Sequence, residues 1–81
     1  MPTYYFHLHD RWGSTPDETG REFADPGAVR KHALKAARAM IAEDVSKGCL
    51  DLRGRIEVTD NVGNLLLMLP FADAVERLDG N

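Results

Sequence analysis

Asp60-Asn61-Val62-Gly63-Asn64-Leu65-Leu66-Leu67-Met68-Leu69-Pro70 is the stretch on which the fold turns. Its first half is turn chemistry: Asp60-Asn61-Val62-Gly63 fits a type I turn followed by glycine in the left-handed region, a common short hairpin connection. Its second half is a run of five apolar residues, Leu65–Leu69, closed by a proline that cannot donate to a strand ladder. Strand side chains alternate faces, so an apolar strand of this kind calls for cover on both sides. A chain of 81 residues has little material to supply both. The second cover must be another helix, a partner chain or a ligand.

Working outward, Arg53 to Thr59 reads as the pairing strand, with Ile56 and Val58 inward and Arg55, Glu57 and Thr59 outward. Beyond Pro70, the residues Phe71, Ala74, Val75 and Leu78 are spaced to share one side of a two-turn helix. Such a segment is well placed to fold back over part of the strand's second face.

The long helix is set by its ends. Asp25-Pro26 is a strong start, because aspartate accepts from the free N–H groups of the first turn and proline loses nothing at the first helical position. From there to Lys47 the chain is rich in alanine and lysine, and Gly48 can take the left-handed conformation that ends a helix. Val29, Ala33, Ala36, Ala37, Met40 and Ile41 share one face, with Leu34 and Val45 widening the stripe. Small alanines let the helix sit close to a sheet.

Thr3 to His9 reads as a further strand, with Tyr4, Phe6 and Leu8 toward the core and Tyr5, His7 and His9 on the other side. Residues 10–24 are loop chemistry, within which Gly20-Arg21-Glu22-Phe23 fits a short strand returning beside the first. The order is strand, short strand, long helix, hairpin and short helix. That order predicts a single two-layer α+β domain over residues 1–81: a small antiparallel sheet of three strands with a short fourth, one long helix on one face, and a short C-terminal helix.

Composition bounds the class. With 43% apolar and 28% charged residues the chain is an ordinary globular sequence, and a domain near this size buries only about 60% of its unfolded surface. Its single cysteine, Cys49, cannot form an intrachain disulfide. No signal-peptide pattern opens the chain, and a five-residue apolar run is far short of the roughly 20 residues needed to span a bilayer, so a cytoplasmic protein is expected. The net charge of −3 is unevenly spread, with the basic excess confined to residues 26–48.

The chain resembles a family of short, uncharacterised bacterial proteins known only as a domain of unknown function. The likeness rests on Tyr4-Tyr5-Phe6-His7-Leu8, on Asp17-Glu18-Thr19-Gly20 before Glu22-Phe23, and on the alanine-rich helix after Asp25. Arg55-Ile56-Glu57-Val58-Thr59-Asp60 with Gly63, and Leu69-Pro70-Phe71, complete it. The family brings no activity, cofactor or functional residue. The first half alone also resembles small antitoxins of the HicB type, through its aromatic strand, acidic glycine turn and alanine-rich helix.

Three chemistries are open to these residues. His7-x-His9 places two imidazoles on one strand face about 7 Å apart, which suits a metal if His32, Asp10 or Cys49 arrives as a third ligand. Lys31, Lys35 and Arg38 form a basic stripe on the helix that could bind the phosphate backbone of a nucleic acid or an acidic partner surface. Neither a nucleophile elbow nor a phosphate loop is present, and Asp17, Glu18 and Glu22 read as a solvated acidic loop, so no enzymatic activity and no cofactor are expected. The leading expectation is association, as a homodimer or within a small regulatory complex, through Leu66, Met68, Tyr5, Phe71 and Val75.

Overall fold

The computed structural model describes residues 2–76. It contains β1 (Thr3–Asp10), β2 (Gly13–Thr15), β3 (Arg21–Glu22), helix α1 (Pro26–Ser46), β4 (Arg55–Thr59), β5 (Leu65–Pro70) and a 3₁₀ turn over Phe71–Asp73. All pairings are antiparallel, in the order β2-β1-β4-β5, with β3 pairing the start of β1 on the β2 side. The two-layer α+β reading therefore holds. The sheet has five strands because Gly13–Thr15, which carries no apolar alternation, returns beside Leu8–Asp10. Arg21–Glu22 is the short returning strand expected near there.

The local rules that set the helix hold at both ends. The Asp25 carboxylate accepts the Ala28 N–H at 2.9 Å, and Gly48, at φ 86°, turns the chain out while Cys49 N–H bonds the Asp44 carbonyl at 2.9 Å. Val29, Ala33, Ala37 and Ile41 are buried, the two alanines completely. They lie against Ile56, Val58 and Leu69, with Tyr4, Phe6 and Leu8 packed alongside. Burying the side chains of Val29, Ile41, Ile56, Val58 and Leu69 stabilises the fold by about 1.5–3 kcal/mol each. The stripe stops at Ile41. Val45, read as widening it, is 52% exposed and takes no part in the core.

The β4–β5 turn closes as read. Asp60 Oδ1 accepts the N–H groups of Val62 and Asn64, each at 2.9 Å, and Gly63 takes φ 89°. The strand that follows departs from simple alternation. Leu67 pairs with Val58 and Leu65 with Thr59, so Leu66 is an extra residue bulged out of the ladder. The run is therefore not one evenly double-sided strand: Leu69 is buried, whereas Leu65, Leu66 and Met68 are 59%, 53% and 49% exposed.

The C-terminal segment also differs from expectation. Phe71–Asp73 is one 3₁₀ turn, and Leu78 lies outside the described residues. Phe71 and Ala74 are buried in the helix-side core and Val75 packs against it. The turn thus closes the end of the core already under α1, and among the described residues nothing covers the second face. The reason is a short tether: Phe71 N–H donates to the Gly54 carbonyl at 2.9 Å, and Arg38 Nε holds the Ala74 carbonyl at 2.7 Å.

That tether requires glycine at position 54. A Cβ there would stand 2.8 Å from Phe71 Cε2 and 3.1 Å from the His9 carbonyl oxygen. Gly54→Ala is expected to destabilise the chain by about 1–3 kcal/mol through overpacking, read as a lower denaturant midpoint. An unchanged midpoint would mean that the Phe71 turn is not fixed as described.

Candidate functional site

The sheet face away from α1 is where side-chain chemistry collects. The ladder aligns Ser14 of β2 with His9, His9 with Arg55, His7 with Glu57, Tyr5 with Thr59, and then Glu57 with Met68 on β5. Paired residues in an antiparallel sheet point the same way. The face therefore grades from polar at β2 to apolar at β5.

Its polar half is joined by side-chain hydrogen bonds. His9 Nδ1 meets Ser14 Oγ at 2.7 Å and His9 Nε2 meets Glu57 Oε1 at 2.8 Å, while Arg55 Nε donates to Glu57 Oε2 at 3.1 Å. The Arg55 hydrogen bond is the main pull that lowers the Glu57 carboxyl below its ordinary range, against burial and with help from His9. Hydroxyl, imidazole and carboxylate in this order are also the parts of an activated nucleophile. Here they lie flat on an open sheet with Ser14 exposed, and they fasten β2, β1 and β4 to one another.

His7 is fully engaged as well. Its Nδ1 accepts the Asp17 N–H at 3.0 Å, which leaves Nε2 to donate to Thr59 Oγ1 at 2.9 Å. Its ring stacks on Tyr5. The structure does not bring the other suggested ligands to the pair. His32 lies on α1, on the opposite side of the sheet, edge-on to Phe6 at 4.7 Å and beside Phe23 at 5.4 Å. Burial lowers its pKa, and Arg21 and Lys35 add to that against Asp17. Asp10 caps the Trp12 N–H at 2.9 Å, and Cys49 Sγ, half-buried rather than enclosed, accepts from Arg11 at 3.0 Å. Among the described residues, no group of three or more His, Cys, Asp or Glu could hold a metal ion.

The remaining expected residues fall in different places. Lys31 and Lys35 are exposed on α1, but Arg38 is committed to the Ala74 carbonyl. Of the five association residues, Tyr5 and Met68 share the open face, and Leu66 is exposed at the β5 edge. Phe71, 3% exposed, and Val75 belong to the helix-side core and are withdrawn from that surface. The sequence reading missed the exposure of Leu65, which follows from the bulge. It also missed the Ser14–His9 link, which needs β2. Between α1 and β5 lies an apolar hollow of about 470 Å³ lined by Tyr4, Pro26, Val29, Arg30, Leu66 and Leu67.

These features define a small α+β domain with one covered and one open sheet face and an apolar edge strand. The chain belongs to a family described as a domain of unknown function (DUF6894), whose model matches residues 3–72. No curated protein and no solved structure matches it. Among the described residues, no helix is long and apolar enough to cross a membrane.

One carboxylate orders the polar side of β1. Between β2 and β3 the edge of β1 lacks a strand partner, and Asp17 fills that gap. Its Oδ2 accepts the Phe6 N–H at 3.1 Å, and its Oδ1 accepts those of Thr19 and Gly20 at 3.0 and 3.1 Å. Burial pushes the Asp17 carboxyl up, but the bonds from Phe6, Gly20 and Thr19, with His7, outweigh it and hold the group below its ordinary 3.8. Because the folded value lies below the unfolded one, this stabilisation is complete above the unfolded value and is lost as pH falls through the folded value. Asp17→Asn turns an amide donor toward one of these N–H groups and is expected to cost about 1–3 kcal/mol at neutral pH. Urea unfolding near neutrality and at about pH 3 should show a smaller acid loss in the variant than in the parent. Equal acid losses would remove Asp17 from this role.

Proposed function

We propose that this chain is a non-enzymatic association module that receives a partner strand along the free edge of β5. The observation that carries the reading is the edge itself. Among the described residues β5 ends the sheet, and Leu65 to Pro70 include no charged residue, while Leu65, Leu66 and Met68 stay about half exposed. Edge strands are ordinarily guarded by charges, prolines, bulges or a covering element. Here the guards stand only at the ends, the bulge at Leu66 and the proline at position 70. The window between them is short and apolar.

The backbone supports the same reading. Phe71 N–H points to Gly54 on the β4 side. Strand backbone groups alternate direction, so Leu69 also faces β4 while Met68 and Pro70 present theirs to the open edge. Pro70 thus stands where a missing N–H removes no bond to β4. Strand addition would occupy the Met68 backbone and bury Leu66 and Met68, each worth about 1.5–3 kcal/mol when fully covered. The histidine and glutamate network on the same face keeps its own partners and serves to hold the sheet rigid beside this edge.

Amide hydrogen exchange of the full chain, dilute enough to be monomeric by sedimentation, tests the reading. The Met68 N–H, free at the edge, should exchange about as fast as the Asn61 amide of the turn. Protection of Met68 in the monomer would mean that the chain covers this edge itself and would overturn strand addition at β5.

A further inference from the structure

We infer that the strand added to β5 is β5 of a second copy, antiparallel, with a two-fold axis beside Met68; this rests on the proposed use of the β5 edge. The outward backbone groups select the register. Met68 opposite the partner's Met68 forms a mutual pair of hydrogen bonds. At either end, the N–H of Leu66, a residue with no β4 partner, meets the carbonyl of Pro70 in the other copy. Proline has no N–H to return to the Leu66 carbonyl, so each end carries one bond instead of two and the ladder stops there.

Face parity agrees. In this register Leu67 lies beside Leu69 of the second copy on the helix side, and the two Met68 side chains meet on the open side. A one-residue slip would set helix-side Leu67 opposite open-face Met68 of the second copy and put the two helices on opposite sides of the joined sheet. The two sheets then continue as one, with both helices on the same side.

Charge complementarity singles out a second copy over an unrelated strand. Arg30 lies at the Leu66 end of β5, on the rim of the apolar hollow, and Asp73 lies in the turn just past its Pro70 end. Both are exposed, and neither makes an ion pair among the described residues. Antiparallel pairing carries the Phe71–Asp73 turn of each copy toward the hollow of the other, so Arg30 approaches Asp73 twice. The chain holds the two halves of this match at opposite ends of one strand, as an isologous interface requires.

Sedimentation equilibrium of the full chain and of Arg30→Asp, Asp73→Arg and the double reversal tests this. The parent should weigh twice its 9.0 kDa monomer. Each single reversal should weaken the dimer about tenfold by replacing two attractions with two repulsions, and the double reversal should recover to within about threefold. Met68→Cys in a Cys49→Ser background gives a readout independent of affinity. Opposed residues of a hydrogen-bonded pair stand about 5.5 Å apart at Cα, within disulfide range, so mild oxidation should yield a covalent dimer. A parent that stays monomeric with a freely exchanging Met68 amide would overturn the second copy alone and leave the edge to a different partner. A dimer that neither cross-links at position 68 nor recovers in the double reversal would overturn the register. A Met68 amide protected in the monomer would instead overturn the underlying reading of the edge.

Discussion

One helix cannot cover two faces of a sheet, and nearly every feature of this molecule follows from that shortage. At about 1.5 Å per residue, the 21 residues of α1 span about 31 Å, ample for the length of any strand here. Width is the limit. A helix with its side chains is about 10–12 Å across, whereas four strands at about 4.8 Å spacing are wider. The helix settles where the burial is richest, with Val29, Ala33, Ala37 and Ile41 over Ile56 and Val58. What it leaves uncovered is the far face, and on its own side the flank of β5.

The chain meets the two shortfalls with different chemistry. On the far face, apolar residues give way to a hydrogen-bonded surface in which the nitrogens of both His7 and His9 have protein partners. Such a face tolerates water, because its polar atoms are already arranged and its apolar area is small. On the β5 flank, the Phe71–Ala74 turn seals one end of the core, and the hollow beside Leu66 marks the other end, where nothing among the described residues closes over it. Asp17 works at the opposite edge, where its carboxylate replaces a missing strand by accepting the Phe6 N–H. The gap in one edge is thus filled from within, whereas among the described residues nothing pairs with the outward backbone of β5.

Much of this was legible wherever a local rule acts alone. Asp25, Gly48, Asp60 and Gly63 announce their caps and turns, because the conformation or hydrogen bond each provides involves only its neighbours. Alternation placed Ile56 and Val58 inward and Tyr5, His7 and His9 outward for the same reason. Alternation failed at Leu66, since a bulge is a property of two paired strands and a single strand does not record it. Gly13–Thr15 was illegible for a related reason: a three-residue strand with exposed side chains exists only through its ladder to Leu8–Asp10. The C-terminal turn was assigned the wrong side because its direction is set by the Phe71–Gly54 bond and the close approach at Gly54, neither of which has a sequence pattern.

The bulge also changes what the five-residue apolar run means. Read as an even strand, Leu65–Leu69 demands cover above and below along its whole length. With Leu66 displaced from the ladder, Leu67 and Leu69 satisfy the helix side, and the unmet demand contracts to Leu65, Leu66 and Met68. Those three flank the outward backbone of Met68, so the apolar surplus and the free hydrogen-bonding groups coincide at one place. Either alone is common on a monomer, since scattered apolar residues and short edges are both tolerated. Their coincidence on an uncharged strand, bounded by a bulge and a proline, is what supports the proposed strand addition at this edge.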